Sequence, residues 1–231
     1  MSVAAAAASA TLTADEIIVG TALGGSTYIL SSFSKTINLA TTGAGGMDTG
    51  TAPVTGYVAL YAIYNPTTST SALLATNAAS LAPTVYGGAN MPSGYTASAL
   101  LAVIPTNASS QFVACLLVGR ILSVAYRPMI NNPAAAFASA NVSAALPANA
   151  KRVRLLMSML SSTANSVMTF IIAPANSTVG QANFSGTPNV AGNGWSTHAD
   201  IDIGTAQTIW WSGTNTLGTP SFTAGAIGYE I

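Results

Sequence analysis

Apolar residues along the chain come in short runs, and Gly, Pro or Asn closes each run. The first half contains EIIVG at 16–20, YVALYAIYNP at 57–66 and FVACLLVGRILSVAY at 112–126. The second half repeats the pattern with RVRLLMSML at 152–160 and AQTIWWSG at 206–213. Short runs separated by turn residues predict β-strands. We therefore expect an all-β chain built from antiparallel β-sandwich or jelly-roll-like modules.

The run from Tyr57 to Tyr64 is apolar at odd and even positions alike. Because successive side chains of a strand point to opposite faces, this run predicts burial on both faces. A sandwich interior and a contact between subunits would each provide such burial.

Composition changes at 125–150, where Pro, Asn and Ala become frequent. This change predicts a boundary between a first β module at 13–125 and a second β-sandwich module at 126–231. Residues 1–12 are expected to form a short N-terminal arm. The alanine run at 4–10 is the one stretch with good helix propensity, and an ordered arm or a frayed terminus are its alternatives.

Charged residues are rare in this chain. They make up 5% of the residues, six basic and six acidic, whereas half of the residues are hydrophobic. Soluble proteins usually carry about 25% charged residues. A surface of net charge near zero favours association, so we expect apolar surface to be buried between subunits. We expect no nucleic-acid partner, because affinity for phosphate backbones comes mainly from clustered Lys and Arg.

The only basic cluster is KRVR at 151–154. In a strand, Arg152 and Arg154 would share one face, which predicts a solvated strand start. The N-terminal segment lacks the basic region of a signal peptide, so we expect synthesis in the cytoplasm without export. No apolar run reaches the roughly 18 residues of a membrane span, since Arg120 interrupts the longest one, and we expect no membrane insertion.

Few residues are suited to catalysis. The chain has one histidine, His198, and one cysteine, Cys115. A Ser-His-Asp site therefore has little support, and Cys115 in its apolar run fits a buried small hydrophobic side chain without a disulfide. We expect no enzyme activity and no cofactor.

In THADIDIG at 197–204, His198, Asp200 and Asp202 fall at alternate positions and share one face of a predicted strand. A strand spaces such side chains about 6.6 Å apart, so only a symmetric assembly could converge them on a metal ion. We expect a structural or surface role and no metal site. The hypothesis that Asp200 and Asp202 act as a general acid and base has less support than a metal site, because the sequence has no other carboxylate cluster to oppose them.

The glycine-rich segment TTGAGGMDTG at 41–50 raises the question of a phosphate site. It lacks the Gly-Lys-Ser/Thr ending of a P-loop, and a predicted strand follows it where a nucleotide-binding loop needs a helix. We expect a turn whose glycines adopt positive φ. Asp48 is expected to accept hydrogen bonds from backbone amides of that turn.

Aromatic residues of the second module are candidates for recognition. Trp195 and Asn193 lie in NVAGNGWSTH, which is expected to form a loop tip, and Trp210 and Trp211 must point to opposite faces of a strand. Exposed aromatic side chains stack on sugars and are enriched at interfaces. We select Trp195, Trp211 and Asn193 as candidate receptor-binding residues; burial in the core or against neighbouring subunits is the alternative.

The stretch from Thr13 to Phe112 resembles the distal regions of tail fibres and related receptor-binding proteins of tailed bacteriophages. Its most specific pieces are TINLATTGAGGMDTG, YNPTT and MPSGYTASAL, and the ending GYEI is similar to the last strand of such fibre tips. The resemblance implies a β-rich homotrimer that is part of the virion and touches the host surface. The second module would then be the distal tip.

From this resemblance we expect a structural virion protein on the tail or capsid surface. Its N-terminal arm would contact other tail or capsid proteins, and its tip would bind a host-surface glycan or protein. The alternative is a capsid or neck decoration protein without receptor binding. A glycan depolymerase is a third hypothesis, which needs a pair of acids in a groove. The resemblance transfers no receptor-contacting residues.

Overall fold

The computed structural model describes residues 1–133 and 135–231. Over these residues the chain is all β, with fifteen strands in antiparallel sheets and no helix. The predicted fold class is confirmed. The described residues contain no helix that could span a membrane. In chain order the strands are β1 (Ser2–Val3), β2 (Ser9–Gly20), β3 (Thr27–Asn38), β4 (Tyr57–Asn65), β5 (Thr70–Asn77), β6 (Ala97–Pro105), β7 (Cys115–Val118), β8 (Ile121–Asn132), β9 (Ala135–Asn141), β10 (Arg152–Ser161), β11 (Met168–Ala173), β12 (Ala182–Gly186), β13 (Gly194–Asp202), β14 (Thr208–Asn215) and β15 (Pro220–Glu230).

The chain divides into two compact units. Unit 1 comprises Met1–Leu122 and Pro147–Asn149, and unit 2 comprises Ser123–Leu146 and Ala150–Ile231. The division falls within β8, close to the sequence-based boundary at 125.

The short return of the chain to unit 1 at 147–149 has a specific cause. Asn149 is buried, and its side-chain amide bonds to the backbone of one residue, Ala82. Oδ1 of Asn149 accepts from the N–H of Ala82 at 2.9 Å, and Nδ2 donates to its carbonyl at 2.9 Å. These bonds satisfy buried polar groups that would otherwise destabilise the fold. Composition carried no sign of this segment.

Unit 1 contains a five-stranded sheet in the order β3-β2-β6-β4-β5. Its inner strand β4 is buried at every position from Tyr57 to Ile63, so the prediction of burial on both faces is confirmed. β4 pairs with β5 on one side and with β6 on the other, which satisfies its backbone polar groups.

The glycine-rich segment 41–50 lies between β3 and β4 in the chain and forms hydrogen bonds with both edge strands of this sheet, β3 and β5. Gly45 accepts a hydrogen bond at its carbonyl from the N–H of Asn38, at the end of β3, and donates its own N–H to Leu73 of β5. These bonds measure 2.8 and 2.7 Å. Gly45 has a φ of 88°, a conformation that glycine adopts without steric cost. The segment is therefore a strand connection that also covers the exposed edge of β5.

Residues 1–12 differ from the predicted arm and contain no helix. Ser2–Val3 pairs with β7, Ala7 bridges Phe112, and β2 begins at Ser9. Ala10 and Leu12 are buried at alternate positions of β2, and both pair with residues of β3. A short alanine run is marginal as an isolated helix, so ladder hydrogen bonds decide its conformation.

Unit 2 is a sandwich of two antiparallel sheets. Within unit 2, sheet I comprises the strands β8-β15-β10-β13, which are four strands of a six-stranded sheet, and sheet II has the order β12-β11-β14-β9. Phe222 of sheet I packs against Phe170 of sheet II, with ring centroids 5.3 Å apart. The largest buried side chains between the sheets are those of Met157, Met159, Met168, Phe170, Trp211, Phe222 and Tyr229. The sandwich leaves the outer face of each sheet available for contacts.

Candidate functional site

The two adjacent tryptophans of β14 point to opposite faces of sheet II, as predicted. Trp211 points inward, is only 5% exposed and packs edge to face on Phe170 at 6.1 Å. Trp211 is one of the three predicted receptor-binding residues, and its burial in the core corrects that prediction. The outward member of the pair is Trp210, which is half-buried.

Trp210 forms an aromatic platform with Phe137 on the outer face of sheet II. The two rings are stacked, with centroids 5.8 Å apart and planes inclined by 27°. Phe137 belongs to β9, which pairs with β14 so that Ser139 lies opposite Trp210. The side chain of Phe137 is 36% exposed. We refer to this pair as the Phe137–Trp210 platform.

A cavity of about 320 Å³ adjoins Phe137. Its other lining residues are Ile171, Asn176, Ser177, Thr178, Gln181 and Ser212. None of these side chains is charged, and most offer an amide or a hydroxyl group. An aromatic surface beside neutral hydrogen-bonding groups can bind a molecule that has an apolar face and several hydroxyls. The site therefore suits a neutral saccharide.

The sequence contains a signal for the outward tryptophan. Thr208, Trp210, Ser212 and Thr214 alternate with the inward residues of β14. A polar series of period 2 marks the solvent face of a strand, so it indicates Trp210. Phe137 could not be found in this way, because its contact with Trp210 depends on the register between β9 and β14.

Trp195 and Asn193 occupy different environments from those expected. Trp195 is the second residue of β13, not part of a loop tip, and it points inward opposite Met159. A Cβ added at Gly186 would lie 3.3 Å from its ring, so the half-buried indole covers β12. Asn193 is exposed in the turn before β13, as predicted for a loop residue.

A charged row lies on the outer face of sheet I. Arg152 and Arg154 of β10 face Asp202 and Asp200 of β13, with N–O distances of 2.9 and 4.0 Å. The hydrogen bond to Asp202 raises the pKa of Arg152. We call these four residues the charged row. The prediction that Arg152 and Arg154 share an exposed face is confirmed.

The predicted common face of His198, Asp200 and Asp202 is also confirmed by the alternating burial of β13. Among the described residues, no group of three or more His, Cys, Asp or Glu side chains is placed to hold a metal ion. The two aspartates instead pair with arginines across the strand, which orients their carboxylates along the sheet surface.

Asp48 lies in a small network of unit 1. Its carboxylate accepts hydrogen bonds from the N–H of Thr49 at 2.8 Å and from the hydroxyl of Tyr86 at 2.7 Å. The prediction that Asp48 bonds an amide of its own turn is confirmed, and the bond to Tyr86 was not foreseen. Burial, followed by the contact with Asp48, raises the pKa of Tyr86 to about 12. The network fixes the loop after β5 onto the glycine-rich segment.

Cys115 is buried, and burial raises the pKa of its thiol to about 11. The thiol is therefore protonated near neutral pH, and a protonated thiol is a poor nucleophile. The prediction that Cys115 is a buried hydrophobic side chain is confirmed.

Comparison with known proteins gives no match to a family model, a curated protein or a solved structure. The functional argument for this chain therefore depends on the geometry of its own surfaces.

Proposed function

We propose that the chain is a structural attachment protein of the tailed-bacteriophage fibre type. In this proposal it forms a homotrimer on the virion and binds a glycan of the host surface through unit 2. The observation that carries the proposal is the Phe137–Trp210 platform beside its uncharged amide and hydroxyl groups.

The chemistry of the platform supports a neutral sugar as the ligand. The C–H groups of a pyranose ring stack on an aromatic face, while its hydroxyls exchange hydrogen bonds with water for bonds to amides and hydroxyls. Asn176 and Gln181 each provide a donor and an acceptor at the cavity wall. A charged ligand would find no ion-pairing partner among the residues that line this cavity.

Contact with other tail or capsid proteins is assigned in this proposal to unit 1. The predicted N-terminal arm is part of its strands, so the hairpin of β2 and β3 takes the place of the arm. Ile18 and Ile29 lie opposite each other on this hairpin and are both exposed, and Leu23 at its turn is 83% exposed. Clustered exposed apolar side chains mark sites of protein association.

Binding of labelled protein to host cells tests the attachment function. We expect saturable binding by the wild type and a loss of about tenfold or more in affinity for Trp210→Ala, as for removal of a central aromatic contact. The matched control is Leu160→Ala, which removes an exposed apolar side chain from the outer face of sheet I and should bind like the wild type.

Two results would contradict the proposal. Equal binding of Trp210→Ala and the wild type to host cells would show that the Phe137–Trp210 platform does not contact the receptor. Binding only to particles that lack the protein, with none to cells, would identify a capsid or neck decoration protein without receptor binding.

A further inference from the structure

The free edges of the two sheets in unit 2 differ in charge. β13 ends sheet I and displays His198, Asp200 and Asp202 on its outer face. β9 and β12 end sheet II, and their sequences, AAFASAN and ANFSG, contain no charged residue. Proteins commonly protect an open strand edge with charged side chains, because an unprotected edge pairs with other strands. Neither edge of sheet II carries this protection by charge.

β9 is also exposed on both of its faces. Ala138 lies opposite the buried Trp211 and so points to the inner side of the sandwich, yet it is exposed. Ala136 on the same side is exposed as well. Neighbouring β14 buries its inward residues at Ile209 and Trp211. A strand of seven residues thus presents apolar side chains and a backbone edge to its surroundings.

The hydrogen-bond pattern identifies the backbone groups at this open edge. The N–H of Val142 donates to the carbonyl of Gln207 at 2.9 Å, which makes them a hydrogen-bonded pair. Hydrogen-bonded and non-hydrogen-bonded pairs alternate along an antiparallel ladder. In the β9–β14 register, Ala138 and Ala140 therefore direct their N–H and C=O groups to β14, whereas Ser139 directs its groups to the open edge.

We propose that β9 of one molecule pairs with β12 of a second copy of this chain. The strands of sheet II alternate in direction, so β9 and β12 run in opposite directions. Two copies in the same orientation can then join β9 to β12 as an antiparallel ladder. A head-to-tail contact of this kind closes into a ring when the rotation between neighbouring copies allows it, and a ring of three copies is the trimer of the proposed function. The inference rests on the trimer of the proposed function and names the surfaces that build it.

The same pairing brings a second set of polar groups to the Phe137–Trp210 platform. Asn183 and Ser185 are exposed on the outer face of β12, the face of sheet II that also carries Trp210. In the assembly, β12 of the neighbouring copy follows β9, so its amide and hydroxyl side chains continue the platform across the seam. Each saccharide site would then be shared by two subunits.

Ser139→Pro tests the pairing. Proline removes the outward N–H of Ser139, spares the bonds to β14, and is tolerated in edge strands. In native mass measurement we expect trimers for the wild type and monomers for Ser139→Pro, with cooperative urea unfolding of unit 2 retained in the variant. Ser139→Ala keeps the N–H and should remain trimeric. A trimeric Ser139→Pro would overturn the inference, and so would a monomeric wild type.

Amide hydrogen exchange on the wild type identifies the partner strand without any variant. We expect exchange in 135–141 and in 182–186 to slow together as the concentration rises and trimers form. Slower exchange in 135–141 alone would mean that β9 pairs with β9, and slower exchange in neither segment would place the contact elsewhere; each result overturns the inference. Attachment to host cells is measured separately from assembly. A wild type that binds cells but forms trimers through another surface would contradict the pairing of β9 with β12 and leave the attachment function standing.

Discussion

One close approach between the two sheets of unit 2 is made by a residue without a side chain. Gly213 of β14 faces Phe222 of β15, and a Cβ added at Gly213 would lie 2.4 Å from the Phe222 ring. Phe222 is fully buried and also contacts Phe170, so its ring has no free space to move into. Glycine is therefore required here by packing between sheets and not by its backbone conformation.

Gly213→Ala is expected to lower the free energy of unfolding of unit 2 by about 1–3 kcal/mol, the usual cost of overpacking a core. Urea unfolding followed by tryptophan fluorescence measures this change, because Trp195, Trp210 and Trp211 all lie in unit 2. The control is the adjacent outward residue in Ser212→Ala, which should stay within about 0.5 kcal/mol of the wild type. Equal stability of the two variants would contradict the close approach.

The tryptophan pair shows how far single residues could be predicted. Alternation required Trp210 and Trp211 to point to opposite faces, and the structure agrees. The prediction that Trp211 binds the receptor was wrong, although the alternating polar residues around Trp210 already indicated that Trp210 lies on the solvent face. Stacking of Phe137 on Trp210 lay beyond the sequence, because it depends on a register between strands that are distant in the chain.

At the scale of elements, β10 and β13 carry the charged row along one border of sheet I. The side chains of Arg152 and Asp202 are 53% and 67% exposed. Exposed ion pairs contribute between zero and about 1 kcal/mol to stability, because water and salt screen them. The row is therefore better explained by protection of the β13 edge than by stabilisation of the sandwich.

Asp200→Asn with Asp202→Asn tests this explanation. We expect the free energy of unfolding to change by less than about 1 kcal/mol, since the ion pairs are exposed. We expect light scattering to show concentration-dependent association beyond the wild-type assembly, because the edge of β13 loses its carboxylates. The double variant with Glu at both positions keeps the charges and should not associate. A large loss of stability, or no added association, would contradict the explanation.

Strands with strong patterns were the elements best predicted. β4 was found with its burial on both faces, and β10 and β13 were found with their charged faces. The N-terminal segment was not, because its alanines have no pattern of their own: Ala7 bridges Phe112 and Ala10 pairs with Ile37 of β3, both distant in the chain. The glycine-rich segment was recognised as a connection, but its bonds to Asn38 and Leu73 depend on long-range pairing.

At the scale of the whole molecule, charge is concentrated in one region. Lys151, Arg152, Arg154, Asp200, Asp202 and Glu230 hold half of the six basic and six acidic residues of the chain. All of them belong to β10, β13, β15 or the residue before β10. Sheet II has no charged residue in its strands, so its surfaces can associate without desolvating ions.

This distribution predicts how the proposed trimer responds to salt. The native mass should be three times the chain mass of 23.1 kDa at low ionic strength and also at about 1 M salt, where charge interactions are screened beyond roughly 3 Å. An interface of β9 with β12 contains no ion pair that salt could weaken, and burial of apolar side chains persists under these conditions. Dissociation into monomers at high salt would instead indicate that the charged row forms the interface. If the trimers persist at high salt and are lost in Ser139→Pro, the edge strands of sheet II are sufficient to explain the interface.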